Sequence, residues 1–506
     1  MEEVFATPDT LRAIWAHLGP PAAAALVGTS LAARDALVAE LHSTRFVCCR
    51  GTPLGVRPAR LAEADRRGER LLGEAPRAAR AVWVCACRTM NRALSAATLR
   101  SLSFLLRHTG PRLQRVTFDF YCDPFADTPC GTDRWAWAAL ARALVAARTR
   151  LDALVVVAPR SDAALEELAG AGLHARALEL RRVPLPSPRA LSGLSALVGL
   201  REVCLVCTRL TAPALCALLG AAARGLWTHL ALRMAGLTPE HLAASRPLWA
   251  LGWLEGLEVH SCPLGHRGCS ELLRLVAPLG ALCDVRVTHC ADDGDDAADD
   301  DAAEAALRLL AANPGLAHPD LSGSIAGDPW ARGVAAAGAG GLGRLRELAL
   351  GATGLSSAMF GALLRVAPPS LRALRVAHNA ISDPPSMAPA PALTELDLTG
   401  NGIGEAALGA LHLPALAGSL RVLRLGMNGL GAAPTGLPRV ARGCPGLVLL
   451  DLECNELDDA AVLALQAALP AGRRVRVLLA GNELTNACSA SLRTPHCFEL
   501  WPAPRA

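Results

Sequence analysis

Cys204 and Cys207 stand in "CLVC", the spacing with which half of a tetrahedral zinc site or a redox dithiol is built. A structural zinc site needs a second pair, and neither Cys48-Cys49 nor Cys85-x-Cys87 supplies one at the right distance along the chain. His260, His289 and His378 have the side chain of a general base or metal ligand. None of them has a Ser, a Cys or a paired carboxylate held near it by a recurrent spacing. Lys is missing altogether, so all 50 basic residues are Arg, and both a phosphate-loop lysine and Schiff-base chemistry are ruled out. A GC-rich gene is one reading of the absence, since Ala, Gly and Pro abound while Tyr121 is the single Tyr and Ile occurs four times, and avoidance of ubiquitin acceptors is the other. "GVAAAGAGGLG", Gly333 to Gly343, is rich in glycine, but it leads into Leu345 and reads as a connection, not as the strand-to-helix turn of a dinucleotide site. The expectation is a protein with no catalytic residues, no metal site and no cofactor.

Composition narrows the class further. A net charge of +4 over 506 residues makes no strong electrostatic demand for nucleic acid or an acidic membrane surface. The 17 Cys are odd in number and scattered, which fits reduced thiols in the cytoplasm or the nucleus. Met1-Glu2-Glu3 begins no basic stretch of a signal peptide, and no window approaches 18 uncharged apolar residues, so neither secretion nor a membrane span is expected. The apolar residues must then form a core spread along the chain.

They are spread periodically. "ALTELDLTGNGI", Ala392 to Ile403, repeats the pattern of "SLRALRVAHNAI", which ends at Ile381. The shared template is LxxLxLxxNxL, and it slides along the chain as Leu345-Leu348-Leu350-Thr353, Leu371-Leu374-Val376-Asn379, Leu393-Leu396-Leu398-Asn401, Leu420-Leu423-Leu425-Asn428 and Leu447-Leu450-Leu452-Asn455. Looser copies run back through Leu316, Leu282, Leu254, Trp227, Leu200, Ala175, Leu151 and Leu113 to Ala79. Starts at 393, 420, 447 and 474 are 27 residues apart, too regular for a merely leucine-rich chain. Within a copy the xLxLx core alternates, so it predicts a short strand with one face inward. The ninth residue, often Asn, can bond the backbone of neighbouring coils. The stretches Ala406–Leu411, Ala461–Leu469 and Ser357–Val366 have helical period.

An array of this kind, with a full helix in coils of this length, resembles the ribonuclease-inhibitor-like class of leucine-rich repeats over residues 79–490. The resemblance implies an α/β solenoid, a horseshoe with a concave parallel sheet and outer helices. On the concave face the outward positions flanking the central strand apolars include Arg233, Glu258, His260, Arg286, Arg375, Asp397, Arg424, Asp451 and Glu453. Signs are mixed, so adjacent rungs can pair, and the lining suits a protein or peptide partner better than nucleic acid, which would call for a stripe of Arg.

Two stretches interrupt the period. "ADDGDDAADDDAAE", Ala291 to Glu304, puts eight carboxylates into fourteen residues and reads as a solvated inserted loop without the Gly and Glu positions of a calcium loop. "DFYCDPFADTPCGTDRW", Asp119 to Trp135, collects aromatics and lengthens its coil, either as a lid over the concave mouth or as a poorly matched early coil.

Residues 1–45 lie outside the period and read as three short helices, with Leu11, Ile14, Trp15 and Leu18 on one face and Gly19-Pro20-Pro21 as the stop. A plain helical cap on the first coil accounts for them. Their order also resembles an F-box, although Thr7 replaces a Leu and Gly28-Thr29 replaces an aliphatic-thiol pair. The F-box resemblance implies that Pro8, Leu11, Ile14, Leu18, Pro20 and Leu26 face a Skp-type adaptor. It further implies that the chain is a substrate-recognition subunit of a cullin–RING ubiquitin ligase. The alternatives are a non-enzymatic scaffold or inhibitor binding a protein on its concave face, and a GTPase-activating regulator. The expected organisation is a helical segment 1–45, a linker or irregular coil 46–78, the repeat array 79–490 with the acidic insertion 291–304, and a tail 491–506.

Overall fold

The structure is a computed structural model. It describes residues 162–183, 185–291, 300–337, 343–383, 393–410, 418–431, 436–469 and 474–486, and the shorter stretches 46–49, 52–53, 81–85, 114–119, 134–146, 149–157 and 497–499, with the single residues 488 and 492. The F-box-like segment and most of the aromatic stretch 119–135 lie outside the described residues. The chain divides into two compact units, Met1–Leu248 and Trp249–Ala506.

In the first unit, strands β1 (Phe46–Cys49), β3 (Ala81–Cys85), β4 (Arg115–Asp119), β5 (Arg150–Val157), β6 (His174–Arg181), β7 (Glu202–Val206) and β8 (His229–Arg233) pair in parallel, each with the next. A two-residue strand, β2 (Thr52–Pro53), runs antiparallel to β1. The register matches the repeat template, because Val82, Val116, Leu154, Leu178, Val203 and Leu230 face one another across successive strands. Between strands lie helices α1 (Arg134–Ala146), α2 (Ala163–Gly170), α3 (Pro188–Gly193), α4 (Ala212–Gly225) and α5 (Pro239–Ser245). Parallel neighbours need such crossovers, since a two-residue turn cannot reverse the chain twice. The helix starts are legible in sequence: Ser187 Oγ accepts from Ala190 N at 3.2 Å and Thr211 Oγ1 from Ala214 N at 3.3 Å, each just before a Pro in the first turn.

The second unit repeats the scheme with shorter strands. Strands β9 (Gly256–His260), β10 (Asp284–Thr288), β11 (His318–Asp320), β12 (Glu347–Ala349), β13 (Ala373–Arg375), β14 (Glu395–Asp397), β15 (Val422–Arg424), β16 (Leu449–Asp451), β17 (Arg476–Leu478) and β18 (Cys497–Glu499) pair in parallel in that order. Helices α6 (Gly265–Val276), α7 (Asp300–Ala312), α8 (Gly327–Ala337), α9 (Ser357–Val366), α10 (Glu405–Ala410), α11 (Gly436–Gly443) and α12 (Asp459–Ala468) lie between successive strands, except that among the described residues β13 leads directly to β14 and β17 to β18. Leu348, Leu374, Leu396, Leu423, Leu450 and Val477 are register partners, and all are buried. Strand and helix alternating over one continuous apolar core, with every coil covering the next, is the leucine-rich-repeat solenoid.

The ninth residue of the template binds neighbouring coils together. Asn428 is 4 % exposed. Its Oδ1 accepts from Asn401 N and Ile403 N, both at 3.0 Å, and its Nδ2 donates to the carbonyls of Leu398, Leu425 and Gly426. Asn455 and Asn482 do the same one and two coils on. Where the template lacks Asn, smaller groups substitute: Thr208 Oγ1 accepts from Val183 N, Cys290 Sγ lies 3.5 Å from Cys262 N, and Ser324 Oγ accepts from Cys290 N. The residue just before this position turns left-handed in coil after coil, at Cys207, Met234, Ser261, His289, Ala352, His378, Met427 and Cys454, and as glycine at 323, 400 and 481.

Two sequence expectations change in detail. Gly333–Ala337 is the end of α8 and not a connection, and Gly333 is where α8 meets α7: an added Cβ would overlap the Ala303 carbonyl oxygen. The last residues of the acidic stretch, Asp300–Glu304, open α7 and are not all free in solvent. Asp301 and Glu304 ion-pair with Arg274 of α6, and Glu304 also pairs with Arg308 at 2.5 Å. Carboxylates in a first helical turn are favoured by the helix dipole, which explains why the helix begins inside the run.

Candidate partner-binding face

Most outward positions of the strands are half-exposed, as alternation favours when the other face packs on the core. Arg233 takes such a position on β8, beside Val206 of β7. In the same unit Arg181 bonds Glu179 at 2.7 Å, and Arg115 approaches Glu179 at 4.0 Å. In the second unit Glu258 and His260 of β9 lie next to Arg286 and Thr288 of β10. His260 Nδ1 is 2.8 Å from Thr288 Oγ1, and the His260 and His289 rings meet edge to face at 5.5 Å. Arg286 turns to Asp284 of its own strand, at 2.9 Å.

The main feature is an ion-pair network on β12 to β15. Arg375 bonds Glu347 and Glu395, each at 3.0 Å, and Arg424 bonds the same Glu395. Burial alone would raise the Glu395 carboxyl, but hydrogen bonds from Arg375 and Arg424 outweigh it and hold the group below the ordinary glutamate value. The bond to Glu395 in turn pushes the Arg375 guanidinium up against the opposing effect of burial. Asp397, Asp451 and Glu453 share the same face, half-exposed. Asp397 Oδ1 accepts from Thr399 N at 3.0 Å and Asp451 Oδ1 from Glu453 N at 3.1 Å.

Sequence reasoning placed Arg375, Asp397, Arg424 and Asp451 on this face but passed over Glu347 and Glu395, which bind the two arginines. The signal was there: both stand one alternation step upstream of the positions read from the template. Cys204 sits on β7 between Glu179 and Ala231, while Cys207 is in the left-handed turn, with Sγ 3.9 Å from Met234 Sδ. His378 also occupies a left-handed turn, and its ring covers Gly400, where a Cβ would come within 2.5 Å of Nδ1. Pro8, Leu11, Ile14, Leu18, Pro20 and Leu26 lie outside the described residues.

A family model described as Leucine Rich repeat matches residues 391–411, the coil that contains β14 and α10. No curated protein matches the chain. Among solved structures the chain is similar to one in the crystal structure of the Rad7 and Elc1 complex in yeast, at 16 % identity and a TM-score of 0.44, over 79 % of this chain and 92 % of that one. It is also similar to one in the crystal structure of a TLR13–ssRNA13 complex, at 14 % identity and a TM-score of 0.39, over 83 % of this chain and 65 % of that one. With the matched repeat at 391–411 holding β14, which pairs in parallel with β13 and β15, the chain has the leucine-rich-repeat fold.

Proposed function

We propose that this protein is a substrate receptor of a cullin–RING ubiquitin ligase, holding a protein partner on its strand face and a Skp-type adaptor on Pro8, Leu11, Ile14, Leu18, Pro20 and Leu26. The observation that carries the partner-binding half is the half-exposed strand face of the second unit, with its ordered Arg375–Glu395–Arg424 network. Charged groups fixed in place by one another give a partner a defined pattern to match, which favours specificity over raw affinity. The adaptor half rests on the order of residues in 1–45, where Leu11, Ile14 and Leu18 share one helical face.

Capture of purified adaptor by the full chain tests the adaptor half. The wild type is expected to form a complex at micromolar concentration, and Leu18→Asp is expected to lose it with an unchanged melting temperature. A wild-type chain that captures no adaptor leaves the other reading, a non-enzymatic scaffold or inhibitor whose first helices cap the array. In that case Leu18→Asp lowers the melting temperature instead.

A further inference from the structure

The strand face of the second unit is divided by charge in a way that its sequence does not announce. Arg375, Asp397, Arg424 and Asp451 are lateral neighbours across β13 to β16, alternating in sign from strand to strand. At a strand spacing of about 4.8 Å they would pair sideways if nothing competed. Something does compete. Both arginines turn toward the upstream end of the strands, to Glu347 and Glu395. The aspartates turn the other way, to backbone N–H groups two residues downstream, and Asp320 on β11 does the same with Ser322 N at 3.1 Å. Among the described residues no Arg ion-pairs with Asp320, Asp397 or Asp451. Arg375 and Arg424 are therefore engaged by glutamates, as Arg286 is by Asp284 on β10, while Asp320, Asp397 and Asp451 are oriented by the backbone and keep an outer oxygen for something else. Downstream of them the outward positions from β11 to β15 are Ser322, Gly351, Ala377, Thr399 and Gly426, none larger than Thr, and on β16 a further carboxylate, Glu453, follows Asp451.

We infer that this face takes an extended segment of a partner protein that carries Arg or Lys, its cations against Asp397 and Asp451 and its main chain over the small side chains from Ser322 to Gly426. The inference rests on the reading of the strand face as the partner-binding surface and narrows it by charge complementarity. The same field repels phosphate, so a nucleic-acid strand is the wrong occupant.

The test is fluorescence anisotropy of the full chain with a fluorescein-labelled Gly-Arg-Gly-Arg-Gly-Arg peptide, its Glu counterpart, and a labelled single-stranded oligonucleotide of similar length. The Arg peptide is expected to bind, less well as salt rises, and the other two probes are not. The double change Asp397→Asn and Asp451→Asn keeps the side-chain oxygens that accept from the backbone and is expected to weaken binding about tenfold, the effect of two exposed ion pairs. Changing Asp292, Asp293, Asp295 and Asp296 to Asn should leave it unchanged. The charge-keeping pair Asp397→Glu and Asp451→Glu disturbs the same backbone bonds and should bind as the wild type does, which separates charge from any loss of fold. Equal binding by the Asn pair, loss in the Glu pair, loss on neutralising 292–296, or preference for the oligonucleotide each overturns the inference. Adaptor capture by residues 1–45 is read independently, so a chain that captures adaptor but ignores the Arg peptide refutes this inference and leaves the ligase reading standing.

Discussion

Asn428 shows how one side chain can hold three coils. It accepts from the coil before it, donates to that coil and its own, and its backbone N–H donates to Asn455 Oδ1 at 3.0 Å. Replacing it with Ala strands two backbone N–H groups and several carbonyls inside the core, where each unmet group costs more than a made bond contributes. Asn428→Ala is expected to destabilise by about 1–3 kcal/mol in denaturant unfolding. A midpoint equal to that of the wild type would mean that water reaches these groups. Thr208 and Cys290 occupy the same position with one polar atom each, which both accepts and donates but meets fewer partners than the separate oxygen and nitrogen of the Asn amide. The left-handed residue just before this position could not be read from side-chain pattern, because His, Met, Cys and Ala are ordinary there by type and only their φ sets them apart.

At the scale of the element, the strands were legible because alternation over three to five residues is unambiguous once it recurs at a fixed spacing. Helices were legible where caps and period agree, as at Ser356, whose Oγ accepts from Met359 N ahead of α9. They were misread where composition pointed elsewhere. Gly-rich sequence suggested a connection at 333–337, but tertiary packing overrode the low helix propensity of glycine, because only Gly lets α8 approach the backbone of α7 at Ala303. Gly333→Ala should therefore destabilise even though Ala is the better helix former by about 1 kcal/mol in isolation. Urea unfolding of that variant decides it, since a gain in stability would show that the two helices have room. The last five residues of the acidic stretch, 300–304, were misread for a related reason: repulsion among carboxylates was weighed, but not the field of a helix N-terminus or the arginine that α6 brings beside it.

For the second unit as a whole, the Arg–Glu network ties the stability of several coils to pH. The Glu395 carboxyl in the folded chain binds its proton at lower pH than in the unfolded chain. The unfolded state thus takes up the proton first as acid is added. The contribution of Glu395 is therefore present in full above the ordinary glutamate pKa, near 4.3, and is lost as pH falls through the depressed folded value. Glu395→Gln should melt below the wild type at neutral pH, and the difference should shrink as the solution is taken below about pH 4. A constant difference across that range would mean that the carboxylate contributes shape and not charge. Because each coil touches only its neighbours, the loss is expected to be felt first on β13 to β15 and to spread outward along the unit.

The sequence by itself determined the repeat, its strand register, the buried leucines and the Asn positions, because a one-dimensional period maps directly onto a one-dimensional stack of coils. It also determined which side chains share the outward face. Only the tertiary structure decided which of those side chains hold one another. Arg424 has Asp397 and Asp451 as lateral neighbours, yet it bonds Glu395. That choice depends on the lean of each side chain and on backbone N–H groups that capture the aspartates. Alternation states which face a residue takes, but it carries no information about direction along that face, and direction is what leaves the arginines neutralised and the aspartates open.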